Sequence, residues 1–350
     1  MKKEISYRNE LAQFVNAIEY FPNSLEVAPF EYDTGKLIKI LQKKEVFEIC
    51  KINDYQFDEV NNIDLKLGKI VADLIKQINP KQSFEEYLEI ERKIENCFSG
   101  NLYLYAKQGA LSVKSLYYYK IKDFSKAITF TLECIVLNDY LVQQGIYTLN
   151  LRCFEQNKNI SRIYFRNGEV QLGYELISNL ITYLFNGKSN NLFGNIFNEK
   201  QYWDKVPIIR ETYAYELFTM IAEDIIRFNI QKNDIFLPDE WYIDLDFEVN
   251  TPDRQIVYNW IYINKQLRSS NYKEYFDSMI YYFQQAHSQF YDILKIFLII
   301  DFHKFINRNK IPNKIVIENK IVDFIENKLN SYLPLRKFFI KSITQKGTTP

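Results

Sequence analysis

The segment YYKIKDFSKAI, which runs from Tyr118 to Ile128, decides the fold of this chain. Its pattern predicts a helix that ends near Tyr118, a short polar turn, and a second helix that begins with an aromatic residue. The small residue Ala127 lets the two helices approach closely, while Tyr118 and Phe124 fill the groove around it. The segment therefore predicts the turn of an antiparallel helical hairpin.

The same pattern occurs again in residues 160–174, ISRIYFRNGEVQLGY. Here Tyr164 precedes the turn, Val170 begins the next helix and Gly173 is the small residue. Gly168 stands in the turn, where a positive φ is expected and glycine adopts it most easily. The small residue of this segment follows that of the first by 46 positions, which predicts two hairpins in succession.

These two segments resemble the tetratricopeptide-repeat (TPR) family, and the resemblance covers residues 108–180. The spacing of 46 positions exceeds the 34 residues of the standard repeat. We expect the extra length in a prolonged second helix that ends toward Gly145. A third hairpin-like segment spans residues 269–276, with Tyr275 at the position of the small residue. The resemblance implies a solenoid of helical hairpins.

The rest of the chain also favours helices, because 350 residues contain only 10 Gly and 9 Pro. We predict an all-α fold of stacked antiparallel helical hairpins, a TPR-like α-solenoid, with a short extended segment near 241–249 where apolar and acidic residues alternate. Three regions are expected: an N-terminal helical region (1–80), TPR-like helical hairpins (81–190) and a C-terminal helical-repeat region (191–350).

Two shorter patterns predict individual helices. The sequence Ser-Phe-Glu-Glu at residues 83–86 matches a capping box and predicts a helix that begins at Ser83 and runs toward Cys97. The apolar run Ile293 to Ile300 is too short for a membrane span and predicts a buried core helix.

Composition excludes several classes of function. Lys plus Arg and Asp plus Glu both number 44, which argues against a dedicated DNA-binding protein, so no nucleic-acid partner is predicted; a local basic stripe and self-association are left open. Four scattered cysteines and two histidines form no short-spaced set of ligands, so no metal and no cofactor are predicted. Scattered cysteines without an apolar leader predict a cytoplasmic protein with no membrane span.

Candidate catalytic groups have simpler structural interpretations. His287 and His303 could serve as a general base or a metal ligand, but a histidine on a helix surface or in a hydrogen bond is the favoured interpretation. Five acidic residues could hold a metal ion, although a solvated acidic face is favoured; they are Asp239, Glu240, Asp244, Asp246 and Glu248. We therefore predict that the chain is not an enzyme.

A candidate binding site comes from the family resemblance. In TPR proteins the first helix of each hairpin lines the concave groove. Lys158, Arg162 and Arg166 are spaced by four residues and are expected on one helix face. Arginine can hold a carboxylate through two hydrogen bonds, so such a groove suits an acidic peptide. An ordinary solvated helix face is the simpler interpretation. The predicted groove residues are Tyr119, Lys120, Lys158, Arg162, Phe165 and Arg166.

The resemblance thus implies a non-enzymatic interaction module that binds an acidic peptide or protein partner in its concave groove. One alternative is a regulator that senses a ligand or peptide, and another is a toxin-neutralising protein of the immunity type. A metal-dependent enzyme that uses Asp244 and Asp246 is a third alternative.

Overall fold

The computed structural model of the chain describes residues 7–26, 34–188, 191–205, 207–231 and 247–329, together with residues 337 and 340. These residues form fourteen α-helices and no β-strand, which confirms the predicted all-α fold. The helices are, in chain order, α1 (Arg8–Ala17), α2 (Thr34–Cys50), α3 (Asp54–Lys76), α4 (Pro80–Cys97), α5 (Gly100–Lys120), α6 (Phe124–Gln144), α7 (Asn150–Asn167), α8 (Val170–Asn186), α9 (Lys200–Lys205), α10 (Pro207–Gln231), α11 (Pro252–Arg268), α12 (Tyr272–Gln284), α13 (Asp292–Arg308) and α14 (Lys314–Lys328). Successive helices pack together as hairpins, most extensively α5 with α6 and α7 with α8.

The chain divides into two compact units. We call Tyr32–Ala214 the central unit, and Met1–Glu31 together with Tyr215–Pro350 the terminal unit. This division groups the helices differently from the three predicted regions 1–80, 81–190 and 191–350. Helix α1 belongs with α11 to α14, whereas α2 and α3 belong with the central hairpins.

Two turns of the central unit share one backbone geometry. Lys122 has a φ of +66°, and the next N–H, that of Asp123, donates to the carbonyl of Tyr118 at 2.9 Å. Gly168 has a φ of +88°, and the Glu169 N–H donates to the Tyr164 carbonyl at 2.9 Å. In each turn a residue in the left-handed conformation ends one helix, and the N–H that follows it donates to a carbonyl of that helix. The next helix begins directly afterwards.

The third predicted hairpin has a turn of the same kind in the terminal unit. Ser270 has a φ of +58°, and the Asn271 N–H donates to the Gln266 carbonyl at 3.0 Å. Tyr275, at the position of the small residue, is buried in this hairpin of α11 and α12. The predicted helix–turn–helix at residues 269–276 is therefore confirmed.

Replacing Gly168 with alanine is expected to lower the free energy of unfolding by about 1 kcal/mol, because a Cβ disfavours the left-handed backbone. A Cβ at Gly168 meets no heavy atom within 4 Å, so steric overlap does not contribute. Gly68 lies inside α3 with equally open space and is the matched control. Gly68→Ala is expected to raise the same free energy by about 0.5–1 kcal/mol. Chemical denaturation measures both, and equal shifts would contradict the assignment of the turn.

The small residues of the two central hairpins lie where their helices approach closely. Ala127 is fully buried, and its carbonyl accepts a hydrogen bond from the Ser115 hydroxyl across the hairpin at 2.9 Å. A Cβ built on Gly173 would come within 2.7 Å of the Phe165 ring. Larger side chains would separate the helices at both positions, as the sequence pattern predicted.

The prolonged second helix of the first hairpin is also confirmed. Helix α6 has 21 residues and ends at Gln144, where Gly145 caps it with a φ of +116°. A short 3₁₀ turn, Tyr147–Leu149, then leads into α7. Together they account for the long spacing between the two hairpins.

The predicted start of α4 is wrong. The helix begins at Pro80, three residues before the expected cap at Ser83. Proline favours the first helical position because its φ is already helical and it has no N–H to satisfy. Ser83 is buried inside the helix, and its hydroxyl donates to the Ile78 carbonyl at 3.4 Å. The predicted end of this helix near Cys97 is confirmed.

The core of the terminal unit is built around α13. Every residue from Ile293 to Ile300 is buried, which confirms the predicted core helix. The N-terminal segment packs against this core: Phe14 of α1 contacts Phe302 edge to face, with ring centroids 4.8 Å apart. Further along, the Leu25 N–H donates to the His287 carbonyl at 2.9 Å.

The predicted extended segment at 241–249 lies mostly outside the described residues. Its last part, Phe247 to Val249, belongs to no helix or strand. Phe247 is buried, and its ring lies 6.2 Å from that of Tyr258 on α11.

Candidate functional site

Four predicted groove residues lie together on two helices of the central unit. Tyr119 and Lys120 end α5 and are half-buried, whereas Arg162 and Arg166 lie one turn apart on α7 and are exposed. The Arg166 Nε–H donates to the Tyr119 hydroxyl at 3.3 Å, so the two helices meet here. We call Tyr119, Lys120, Arg162 and Arg166 the cationic cluster.

The charges of the cationic cluster act on one another. Burial lowers the pKa of the Lys120 ammonium, and the positive charges of Arg162 and Arg166 lower it further. Like charges that approach from two helices repel, and an anion among them relieves that repulsion. The cluster therefore favours a negatively charged ligand group.

The other two predicted residues pack inside the unit. Lys158 is only 2% exposed, so it does not join the exposed face of α7. Phe165 packs across its hairpin, with its ring 4.8 Å from that of Tyr174 and against the backbone of Gly173. Residues spaced by four drift around a helix by about 40° per step. Lys158 therefore lies roughly 80° from Arg166 and turns inward.

The exposed or half-buried stripe along α7 follows alternating steps of three and four residues, which keep to the helical period of 3.6. The stripe therefore begins nearer the start of α7 than the predicted face of Lys158, Arg162 and Arg166. It also contains charged residues of both signs, whereas the predicted face contained only cations. Its members are Arg152, Glu155, Asn159, Arg162 and Arg166.

Helix α5 runs beside this stripe. The Gln156 amide donates to the Ser112 hydroxyl at 2.5 Å, and further along both helices Arg166 bonds to Tyr119. The two contacts advance in the same direction along α5 and α7. The helices are therefore parallel, and we call the exposed and half-buried residues of α5 and α7 between these two contacts the strip.

A second charged group lies at the other end of the strip. Asp64 on α3 reaches solvent and faces Gly109 on α5, where a built Cβ would be 3.5 Å from the Asp64 Oδ1. Arg152 donates to Glu155 at 2.8 Å. Burial raises the pKa of Asp64 to about 6, and the charge of Arg152 opposes that rise. These residues lie close together where the side chain of Asp64 reaches α5, and we call Asp64, Gly109, Arg152 and Glu155 the acidic recess.

Sequence inspection missed the acidic recess. Asp64, Gly109 and Arg152 come from three different helices. Only the alternating spacing of polar residues along α7 could have pointed to Arg152 and Glu155.

The two histidines lie in the terminal unit. The His303 Nε2 is 2.7 Å from the Glu318 Oε1, in agreement with the predicted hydrogen-bonded histidine. His287 is buried, and burial lowers its pKa to about 3. Of the candidate acidic ligands, Glu248 is exposed, and Asp239, Glu240, Asp244 and Asp246 lie outside the described residues. The described part of the chain contains no group of His, Cys, Asp or Glu residues that could hold a metal ion.

None of the helices in the described ranges is both long enough and apolar enough to cross a membrane. No known protein family matches the chain, and neither a curated protein nor a solved structure matches it. The chemistry of the strip between the acidic recess and the cationic cluster is therefore what points to a function.

Proposed function

We propose that this chain is a non-enzymatic helical-repeat protein that binds an acidic peptide or protein segment at the cationic cluster. The observation that supports this function is the convergence of Lys120, Arg162 and Arg166 from two neighbouring helices beside the Tyr119 hydroxyl. A guanidinium group can donate two parallel hydrogen bonds to one carboxylate, which combines charge with orientation. The tyrosine supplies contact area that is apolar on its faces and polar at its tip.

The charge pattern of the strip favours a peptide over a nucleic acid. A phosphate backbone is neutralised by a run of cations that no acidic residue interrupts. Here Glu155 interrupts the arginines of α7, and Asp64 faces the same strip. The formal net charge of the whole chain is zero. A peptide carries discrete charges and can match a surface of mixed sign.

The double charge reversal Arg162→Glu with Arg166→Glu tests this function. A displayed library of random peptides is selected on the protein, and an enriched peptide is then titrated by calorimetry. We expect acidic residues to be enriched. We also expect the double variant to bind that peptide roughly 30- to 100-fold more weakly, because two attractive contacts become repulsive. Added salt should weaken binding to the unaltered protein.

The matched control reverses two other exposed cations of the central unit, Arg92 on α4 and Lys188 after α8. Arg92→Glu with Lys188→Glu changes the net charge equally and should leave the affinity within about twofold. Circular dichroism and thermal unfolding check that both variants fold. A library without acidic preference, or equal affinities for the two double variants, would overturn the proposed function.

A further inference from the structure

The strip carries opposite charges at its two ends. The acidic recess holds two carboxylates, Glu155 and Asp64, and one arginine, Arg152, which bonds to Glu155 and also acts on Asp64 through its charge, so the recess is negative when both carboxylates are ionised. Within the described residues, no side chain or backbone N–H donates a hydrogen bond to Asp64. The cationic cluster carries three positive charges at the far end. A ligand that matches both ends needs charges of both signs.

We infer that the partner segment lies along the strip with a fixed polarity, with a lysine, an arginine or an amino terminus in the acidic recess and its acidic residues in the cationic cluster. This inference rests on the proposed function and adds the charge pattern and direction of the partner. Charge complementarity with Asp64 selects the cation, and Arg162 with Arg166 selects the carboxylates.

The geometry of α5 sets the spacing of these charges. Gly109 and Tyr119 lie ten residues apart on α5. Gly109 faces Asp64, and the Tyr119 hydroxyl accepts a hydrogen bond from Arg166. Ten helical residues rise about 15 Å. An extended peptide advances about 3.3 Å per residue, so its cation and its first acidic residue should be about five residues apart.

The inferred contact has a pH dependence whose sign follows from Asp64. Its pKa of about 6 describes the carboxylate before a cation binds. A bound cation favours the ionised form, so binding should be tighter well above pH 6 than below it. The other titratable or charged groups around Asp64 come from three helices. Arg152 and Glu155 lie on α7 and Tyr105 lies on α5, while Glu45 and Cys50 lie on α2 and are close to Tyr105.

Glu45 is the other carboxyl in this group whose pKa is raised by burial, and it accepts hydrogen bonds from Thr148. It could contribute its own pH dependence. The variant Asp64→Asn separates the two, because it removes only the titration of Asp64. We expect its peptide affinity to change little between about pH 5 and about pH 7.5.

The experiment selects one random peptide library on the unaltered protein and on Asp64→Lys. On the unaltered protein, selected peptides should carry a lysine or arginine about five residues from their acidic residues. Replacing that cation with alanine in one selected peptide should weaken binding roughly three- to tenfold. Peptides selected on Asp64→Lys should no longer be enriched in lysine or arginine at that spacing, but they should still be enriched in acidic residues. Asp58→Lys alters an exposed carboxylate on another face of α3 and should leave the selected pattern unchanged.

The outcomes separate this inference from the proposed function. Enriched acidic residues without a cation at a fixed spacing would overturn the polarity and leave the binding of acidic segments intact. The same conclusion would follow if Asp64→Lys and Asp58→Lys selected identical peptides. Peptides without any acidic preference would overturn both.

Discussion

Replacing Phe14 with alanine is expected to lower the free energy of unfolding by about 3–5 kcal/mol. The ring is fully buried and lies among the rings of α12, α13 and the chain just after α1; its neighbours are Phe21, Phe276, Phe283 and Phe302. Truncation removes the apolar contact area of the ring and leaves a cavity among side chains that cannot all move in to fill it. Chemical denaturation gives the size of the loss.

Hydrogen exchange shows where that loss falls. We expect Phe14→Ala to lower amide protection more in α12 and α13 than in α5 to α8, because all four rings that neighbour Phe14 belong to the terminal unit. Tyr20 lies in the same segment but is 83% exposed, so Tyr20→Ala is the control and should change the free energy of unfolding by less than about 0.5 kcal/mol. Equal losses for the two variants would mean that α1 does not stabilise this unit.

Replacing Asp292 with alanine is expected to cost about 3 kcal/mol of unfolding free energy. Its carboxylate is fully buried at the start of α13 and accepts a hydrogen bond from the buried Ser24 hydroxyl. Its negative charge also favours the ammonium of Lys295, which is fully buried on the same helix. The substitution leaves the Ser24 hydroxyl with only a long hydrogen bond, 3.4 Å to the Lys328 carbonyl, and the buried ammonium of Lys295 without the charge of Asp292.

Lys295→Met supplies the matched test, because methionine keeps a long side chain and removes the charge. Among the residues that the structure describes, the Lys295 ammonium makes one long hydrogen bond, 3.4 Å to the Gln285 carbonyl. Burial disfavours this ammonium more than the charge of Asp292 favours it, so we expect this variant to be more stable than the unaltered protein by about 1–3 kcal/mol at neutral pH. The loss caused by Asp292→Ala should then be smaller in the Lys295→Met background. Full additivity of the two substitutions would show that their charges are not coupled.

The pH dependence of Lys295 has a definite sign. Burial lowers its pKa in the folded chain to about 8, although the charge of Asp292 opposes the shift. The unfolded chain, with a lysine pKa of about 10.4, therefore binds more protons between those two values. Stability contributed by this group is lowest below about pH 8 and rises with pH above it. The advantage of Lys295→Met over the unaltered protein should consequently shrink between about pH 7 and about pH 9.5.

Much of the fold was predictable because its signals are local. A glycine after a helix marks the left-handed cap, and α6 and α7 end at Gly145 and Gly168 as expected. The start of α4 was mispredicted because two local signals competed. Pro80 precedes the serine of the capping pattern, and proline is favoured at the first helical position, which is where the helix begins.

The candidate site was predictable only in part. Arg162 and Arg166 were expected on the exposed face, and they lie there. Lys158 was expected beside them and is buried, because strict spacing by four departs from the period of 3.6. Asp64 carried no signal in the sequence, and the spacing along α7 pointed at most to Arg152, since the proximity of the two residues depends on how α3, α5 and α7 pack.

The sequence by itself determined the helices, the hairpin turns and the small residues where paired helices touch. Each of these depends on residues within a few turns of one another, whose backbone preferences and periodicity act locally. The tertiary structure alone decided that α1 joins the terminal unit through Phe14, and that Asp64 faces the strip along α5 and α7. Such pairings depend on burying apolar faces between helices that are distant in the chain, and many faces are apolar enough to pair. The order of residues along the chain does not specify which of them meet.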